Sequence, residues 1–166
     1  GNGSPNNDGG AAAGSLVVRA LGGFTNAGLI RANAGDGQPG DGDDDGGGGG
    51  AGGFVIIASD GTLTNSGTIE VVGGDGAPGD PGECGGGGGG GGAIHFLGPN
   101  ADAVSGTLNV SGGSAGSGVC NCCGSASGGA MGGDGGKGSD DNLAAVPGSA
   151  GVVLRTKVTN AGVMFL

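Results

Sequence analysis

Aromatic side chains are almost missing from this chain. It has no Trp and no Tyr, and only four Phe in 166 residues. A core of ordinary thickness, filled by large rings, is excluded. A thin core of Val, Ile and Leu is not. Positive charge is scarce too. Five Lys and Arg stand against fifteen Asp and Glu, for a net charge of −10. So acidic a surface excludes nucleic acid and anionic membranes as partners. No apolar run approaches the roughly 20 residues of a membrane span. Histidine occurs once, at His95. No Ser-His-Asp arrangement or paired acid and base can be assembled around it, so the chain reads as a non-enzyme. Methionine does not open the chain and no export signal is present, which points to a mature chain or a fragment with any signal removed.

Glycine, by contrast, supplies 51 residues, against an average usage of about 7%. Collagen would need glycine at every third position. Here glycines come in runs, at residues 46–50 and 85–92. Disorder fits such tracts, but not the strand-like segments between them.

Those segments recur. Each unit opens with a glycine and a short apolar strand: Gly14-Ser15-Leu16-Val17-Val18-Arg19, Gly53-Phe54-Val55-Ile56-Ile57-Ala58, Gly92-Ala93-Ile94-His95-Phe96-Leu97 and Gly151-Val152-Val153-Leu154-Arg155-Thr156. The first three start 39 residues apart, and the last follows after 59. A turn motif comes next, as Thr25-Asn26-Ala27-Gly28, Thr64-Asn65-Ser66-Gly67 and Thr159-Asn160-Ala161-Gly162. Asn and Gly tolerate positive φ. The third unit keeps only Gly106, so a different turn is expected there.

A second strand follows in each unit. Ile30, Ala32, Ile69, Val71, Leu108, Val110, Met164 and Leu166 fall on one face, with Arg31, Glu70 and Asn109 on the other. A period of two marks a half-buried strand. In the opening strands, Leu16, Val18, Val55, Ile57, Ile94, Phe96 and Val153 share a face. The opposite face (Val17, Arg19, Ile56, His95, Leu154) is mixed, and cover is expected over it in the middle units.

The expected fold is therefore all-β: a β-solenoid-like stack of short strands, in which neighbouring units bury the apolar face that no unit buries alone. Residues 1–13 form a polar glycine-rich lead. One repeat domain spans 14–166, with units at about 14–52, 53–91 and 92–150 and a partial unit at 151–166. In register, Arg31 meets Glu70.

An excursion of about twenty residues separates each second strand from the next opening strand. Two readings stand: flexible glycine-rich loops, or ordered, polyproline-II-like strands of polyglycine stiffened by proline. Recurrence at a fixed place favours order.

The order of apolar strand, Asn-Gly turn, second strand and glycine-rich excursion resembles the glycine-rich β-helix repeats of bacterial surface and filament proteins. The likeness runs from about Gly14 to Leu166. The tracts alone resemble the polyglycine-II bundles of phage tail-fibre adhesins and springtail antifreeze proteins. These resemblances imply an extracellular or cell-surface location and a structural or adhesive role. They carry no catalytic residue across. The expected function is that of a structural subunit of a self-assembling extracellular filament. The alternatives are a receptor-binding adhesin or tail-fibre module and, last, an ice-binding protein.

Three groups of residues invite chemistry. Cys84, Cys120, Cys122 and Cys123 read as disulfide formers in an oxidising compartment, with three pairings open. A bridge from Cys84 to the later group would tie adjacent excursions, and one bridge could be intermolecular. Zinc is the alternative, without its usual Cys-x-x-Cys pair. Asp36, Asp41, Asp43, Asp44 and Asp45 are candidate calcium ligands, set against a solvated acidic surface. Asn109-Val110-Ser111 fits the glycosylation sequon, a motif frequent by chance.

The final strand, Val163, Met164, Phe165 and Leu166, is apolar on both faces. An exposed apolar edge invites another chain. Together with Leu16 and Val18 at the first unit, these residues are the expected contacts of a head-to-tail homopolymer, with the chain itself as partner.

Overall fold

The computed structural model describes residues 8–40, 42, 44–120 and 125–158. The described chain is all-β, with every strand pair parallel. Strands β1 (Ser15–Ala20), β4 (Phe54–Ser59), β7 (Ala93–Gly98) and β9 (Val152–Lys157) form one sheet in that order. Strands β2 (Phe24–Asn26) and β5 (Leu63–Asn65) form a second, and β3 (Leu29–Arg31), β6 (Thr68–Glu70) and β8 (Thr107–Asn109) a third.

Register follows the repeat. Leu16 pairs with Val55, Ile30 with Ile69 and Ile69 with Leu108, each 39 residues on. Ala93 pairs with Val152, 59 residues on, so the longer third excursion leaves the pairing intact. Parallel order follows because each unit returns to the side where it began, and equivalent strands then run the same way.

The core lies between the three sheets. Val55, Ile57, Leu63, Ile69, Val71, Ile94 and Phe96 are its buried centre, closed by Ala101 and Val104. Each large aliphatic here contributes roughly 1.5–3 kcal/mol by leaving water. Val18, Ile30, Ala32, Leu108, Val110 and Val153 flank it from the outer units. Outside the first sheet, Ala58 and Leu97 form a small second cluster with Ile56 and Val158. The mixed face is thus half-covered at Ile56 and His95 and open at Val17 and Leu154. Leu16, expected inside, stands 39% exposed because no described strand lies above β1.

The corner between second and third sheets is held by an asparagine ladder. Asn26 Nδ2 donates to Asn65 Oδ1 at 2.8 Å, and Asn65 Nδ2 donates to the Ser105 carbonyl at 2.8 Å. The third unit replaces the strand at this corner with a short 3-10 turn, Ala101–Ala103, and reaches Gly106 at φ 88°. Asn100 stands in for the missing strand. Its Oδ1 accepts the Leu63 amide at 2.8 Å and its Nδ2 donates to the Leu63 carbonyl at 2.9 Å.

The glycine tracts occupy the other half of each unit, and they hydrogen-bond to one another through the backbone. Residues 85–92 lie at their centre. The amides of Gly86, Gly89 and Gly92 donate to segment 71–80, those of Gly87 and Gly90 to segment 125–130, and those of Gly88 and Gly91 to segment 143–151. Carbonyls of residues 84–91 accept from three further segments, 44–53, 110–118 and 132–139. Every third residue faces the same neighbour, as a backbone with three residues per turn requires. The six neighbours also bond to each other around the ring, for example Gly129 to Gly49, Gly128 to Gly136 and Gly148 to Gly113. Only glycine fits inside. A methyl group built on any of residues 85–92 would come within 3.0 Å of a neighbouring backbone. The extra length of the third excursion supplies two of the six neighbours, segments 125–130 and 132–139.

Candidate functional site

Three places carry the chemistry that the sequence singled out. The first is the outer face of the glycine half. A segment in this packing turns one amide in three outward, and that amide needs an acceptor. The side chains one unit back supply it. Asn33 Oδ1 accepts the Val72 amide at 3.0 Å, Asp36 Oδ1 the Asp75 amide at 2.8 Å, and Asp75 Oδ1 the Ser114 amide at 2.6 Å. Where the same position is Pro39 or Pro78, there is no N–H to satisfy. Asp36 and Asp45, two of the candidate calcium ligands, thus each accept a backbone amide from the next unit, Asp45 from Cys84 at 2.9 Å. Among the described residues Asp36, Asp44 and Asp45 form no group of three that could share one ion. Asp41 and Asp43 lie outside the described residues.

The second place is the end of the central tract away from β7. Cys84 and Cys120 are joined by a disulfide, with Cα atoms 5.0 Å apart. It ties the second excursion to the third, as one of the open pairings would. Both cysteines are fully buried. Asp45 lies beside them, and these three make up the one group of potential metal ligands among the described residues. Two of its members are spent in the bridge. Cys122 and Cys123 lie outside the described residues. Ser125 and Ser139 also close on this end: both hydroxyls donate to the Gly85 carbonyl, at 2.6 and 3.2 Å. Neither serine is distinguished in the sequence, because a hydroxyl in a Gly-Ser tract looks like linker.

The third place is the pair of stack ends. At the first end, Leu16 and Val17 on β1, Leu21 just after it and Leu29 on β3 are exposed, and the outer backbone edge of these strands has no described partner. Equivalent positions one unit on are covered: Val55 is fully buried, and Ile56 and Thr68 are half-buried. At the last end, β9 puts Arg155 in the column of Val18, Ile57 and Phe96. Its guanidinium leans over the core to the Val104 carbonyl at 3.5 Å. A charged group there went unremarked in the sequence, although its register with Phe96 was already given by the repeat. Leu16 and Val18, the expected assembly contacts at the first unit, lie on β1 at the first end. Val163, Met164, Phe165 and Leu166 lie outside the described residues.

Two titrating side chains are shifted by contacts between neighbouring strands or by burial. His95 is half-buried on β7, with its Nε2 2.8 Å from Thr156 Oγ1 on β9, and burial pulls its pKa below the ordinary value. Arg31 Nε donates to Glu70 Oε2 at 2.8 Å, the pairing that the register implies. That bond holds the Glu70 carboxyl below the usual range, assisted by Asn33. No helix among the described residues is long and apolar enough to cross a membrane. No protein-family model, curated protein or solved structure matches the chain.

Proposed function

We propose that this chain is a short β-solenoid whose tracts run as polyglycine-II-like helices, and that it is a structural subunit of a self-assembling extracellular fibre. Its likeness to glycine-rich β-helix repeats and to polyglycine bundles belongs to the same reading. The observation that carries it is the first end. Among the described residues, three parallel strands there leave one backbone edge unpartnered beside exposed Leu16, Val17, Leu21 and Leu29. Unpaired edges next to apolar side chains are templates for another chain. A second copy offers strands of the same spacing and direction. The disulfide suits an oxidising, extracellular setting.

One observation favours a second reading. Arg155 closes the apolar column at the last end, as a polar terminal repeat does. A module that stops a stack at one end is what an adhesin or tail-fibre tip needs. In a head-to-tail fibre, Arg155 would instead have to sit against Val18 of the next copy.

Electron microscopy and sedimentation of the purified protein separate these readings. Fibres that shorten or vanish in Val17→Lys/Leu29→Lys are expected. Isolated particles at every concentration would sink the fibre and leave the tip.

A further inference from the structure

The first residues of the central tract are held from four segments at once. Cys84 is bonded to Cys120, and its amide donates to Asp45 Oδ1 at 2.9 Å. The Gly85 amide donates to Ser139 Oγ at 2.7 Å, and the Gly85 carbonyl accepts from Ser125 Oγ at 2.6 Å and from the Ser139 amide at 3.0 Å. Cys84, Cys120 and Ser139 are all buried. From Gly86 to Gly92 the pattern changes: each amide bonds a backbone carbonyl, with the neighbour repeating every third residue.

Such a pattern carries no address. A run of identical residues displaced by three would face the same neighbours with the same groups over whatever length stayed inside. Side chains distinguish positions in the strands, but residues 85–92 have none. At one end the side chains of β7 hold the strand itself in register, and at the other the four-sided grip on Cys84 and Gly85 is the feature that departs from the three-residue period.

We propose that the Cys84–Cys120 bridge, with Asp45, Ser125 and Ser139, is a redox-dependent lock that sets the register of the central glycine tract. Closing it is a thiol–disulfide exchange. The two cysteine thiols give up two protons and two electrons to a small-molecule disulfide, which departs as two thiols. A thiol or phosphine reductant reverses the step. Oxidised, the tract has one alignment. Reduced, three-residue slippage opens, with glycines bulging out before β7 and the first glycine slots left empty, since Glu83 and Cys84 cannot enter them.

The test follows the glycine amides by two-dimensional NMR of ¹⁵N-glycine-labelled protein. The native protein gives one cross-peak for each glycine in 85–92. Cys84→Ala/Cys120→Ala, folded with a phosphine reductant present, should give two or more sets for these glycines and a single set for Gly53 and Gly98 beside the strands. A single set at native positions in that variant overturns the lock. Should the variant fail to fold, the folded native protein is reduced and warmed short of unfolding. A second set growing in for the tract alone is then expected, and an unchanged spectrum overturns the proposal equally.

Discussion

The two halves of each unit pack onto their neighbours by opposite means. In the strand half, side chains do it. Alternating aliphatics from successive units meet in a dry core, and a slip of one residue would turn Ile57 or Phe96 outward. In the glycine half, the absence of side chains does it. Segments 44–53, 71–80 and 85–92 approach so closely that backbone bonds backbone without any group between them. One half is stabilised by burial of apolar surface, the other by hydrogen bonds made in a solid lattice. Glycine loses the most conformational entropy on ordering, so the lattice is worth making only where many bonds form together. The central tract, ringed by six neighbours, is where that holds best. A small chain poor in aromatic rings is thus held in place with half of its section lacking a hydrophobic core.

Substitutions of opposite kinds should therefore harm the two halves. Phe96→Ala removes a fully buried ring from the strand half, and a loss of about 3–5 kcal/mol is expected from chemical denaturation. Gly89→Ala adds a single methyl to the glycine half. It would drive into the Gly50 carbonyl of the next segment, which cannot turn aside as a side chain could. About 3 kcal/mol or more should be lost, and a near-neutral result would mean that the tracts are not packed together. Asp36→Ala leaves the Asp75 amide without its acceptor, and a cost of about 1 kcal/mol is expected. Asp75→Ala should behave alike toward Ser114. A calcium site would instead show as a calcium-dependent melting temperature that either substitution removes.

The smallest effect belongs to Arg31 and Glu70. The pair is surface-exposed, with the Arg31 side chain 58% accessible. Because the Glu70 carboxyl titrates below its ordinary value, the pair's contribution is present above the usual carboxylate range and is lost as the pH falls through that lowered value. Arg31→Gln should narrow the urea midpoint difference from the native protein to nothing at low pH, and open it slightly near neutrality.

Much of the strand half was legible beforehand. Alternation at Ile30, Ile69 and Leu108 gave faces, and the spacing gave parallel register, because side-chain pattern is what decides that half. Leu16 was placed on the correct face, but its exposure depended on what lies above it. Asn100 escaped notice because it replaces a strand with one side chain. The arrangement of the glycine half was not legible. Residues 125–139 look like linker, yet they complete the ring, since a lattice of backbone bonds asks only that side chains be absent. The aspartates suggested an ion for a related reason: the donors they accept from are backbone amides, which every sequence has and none displays.

Amide hydrogen exchange across residues 85–97 in the native protein tests the packing of the glycine half most directly. Gly85 to Gly92 should exchange as slowly as Ile94 to Leu97, both only when the whole molecule opens. Glycine amides exchanging at the rate of a free peptide, while the strand beside them stays protected, would contradict the ordered lattice.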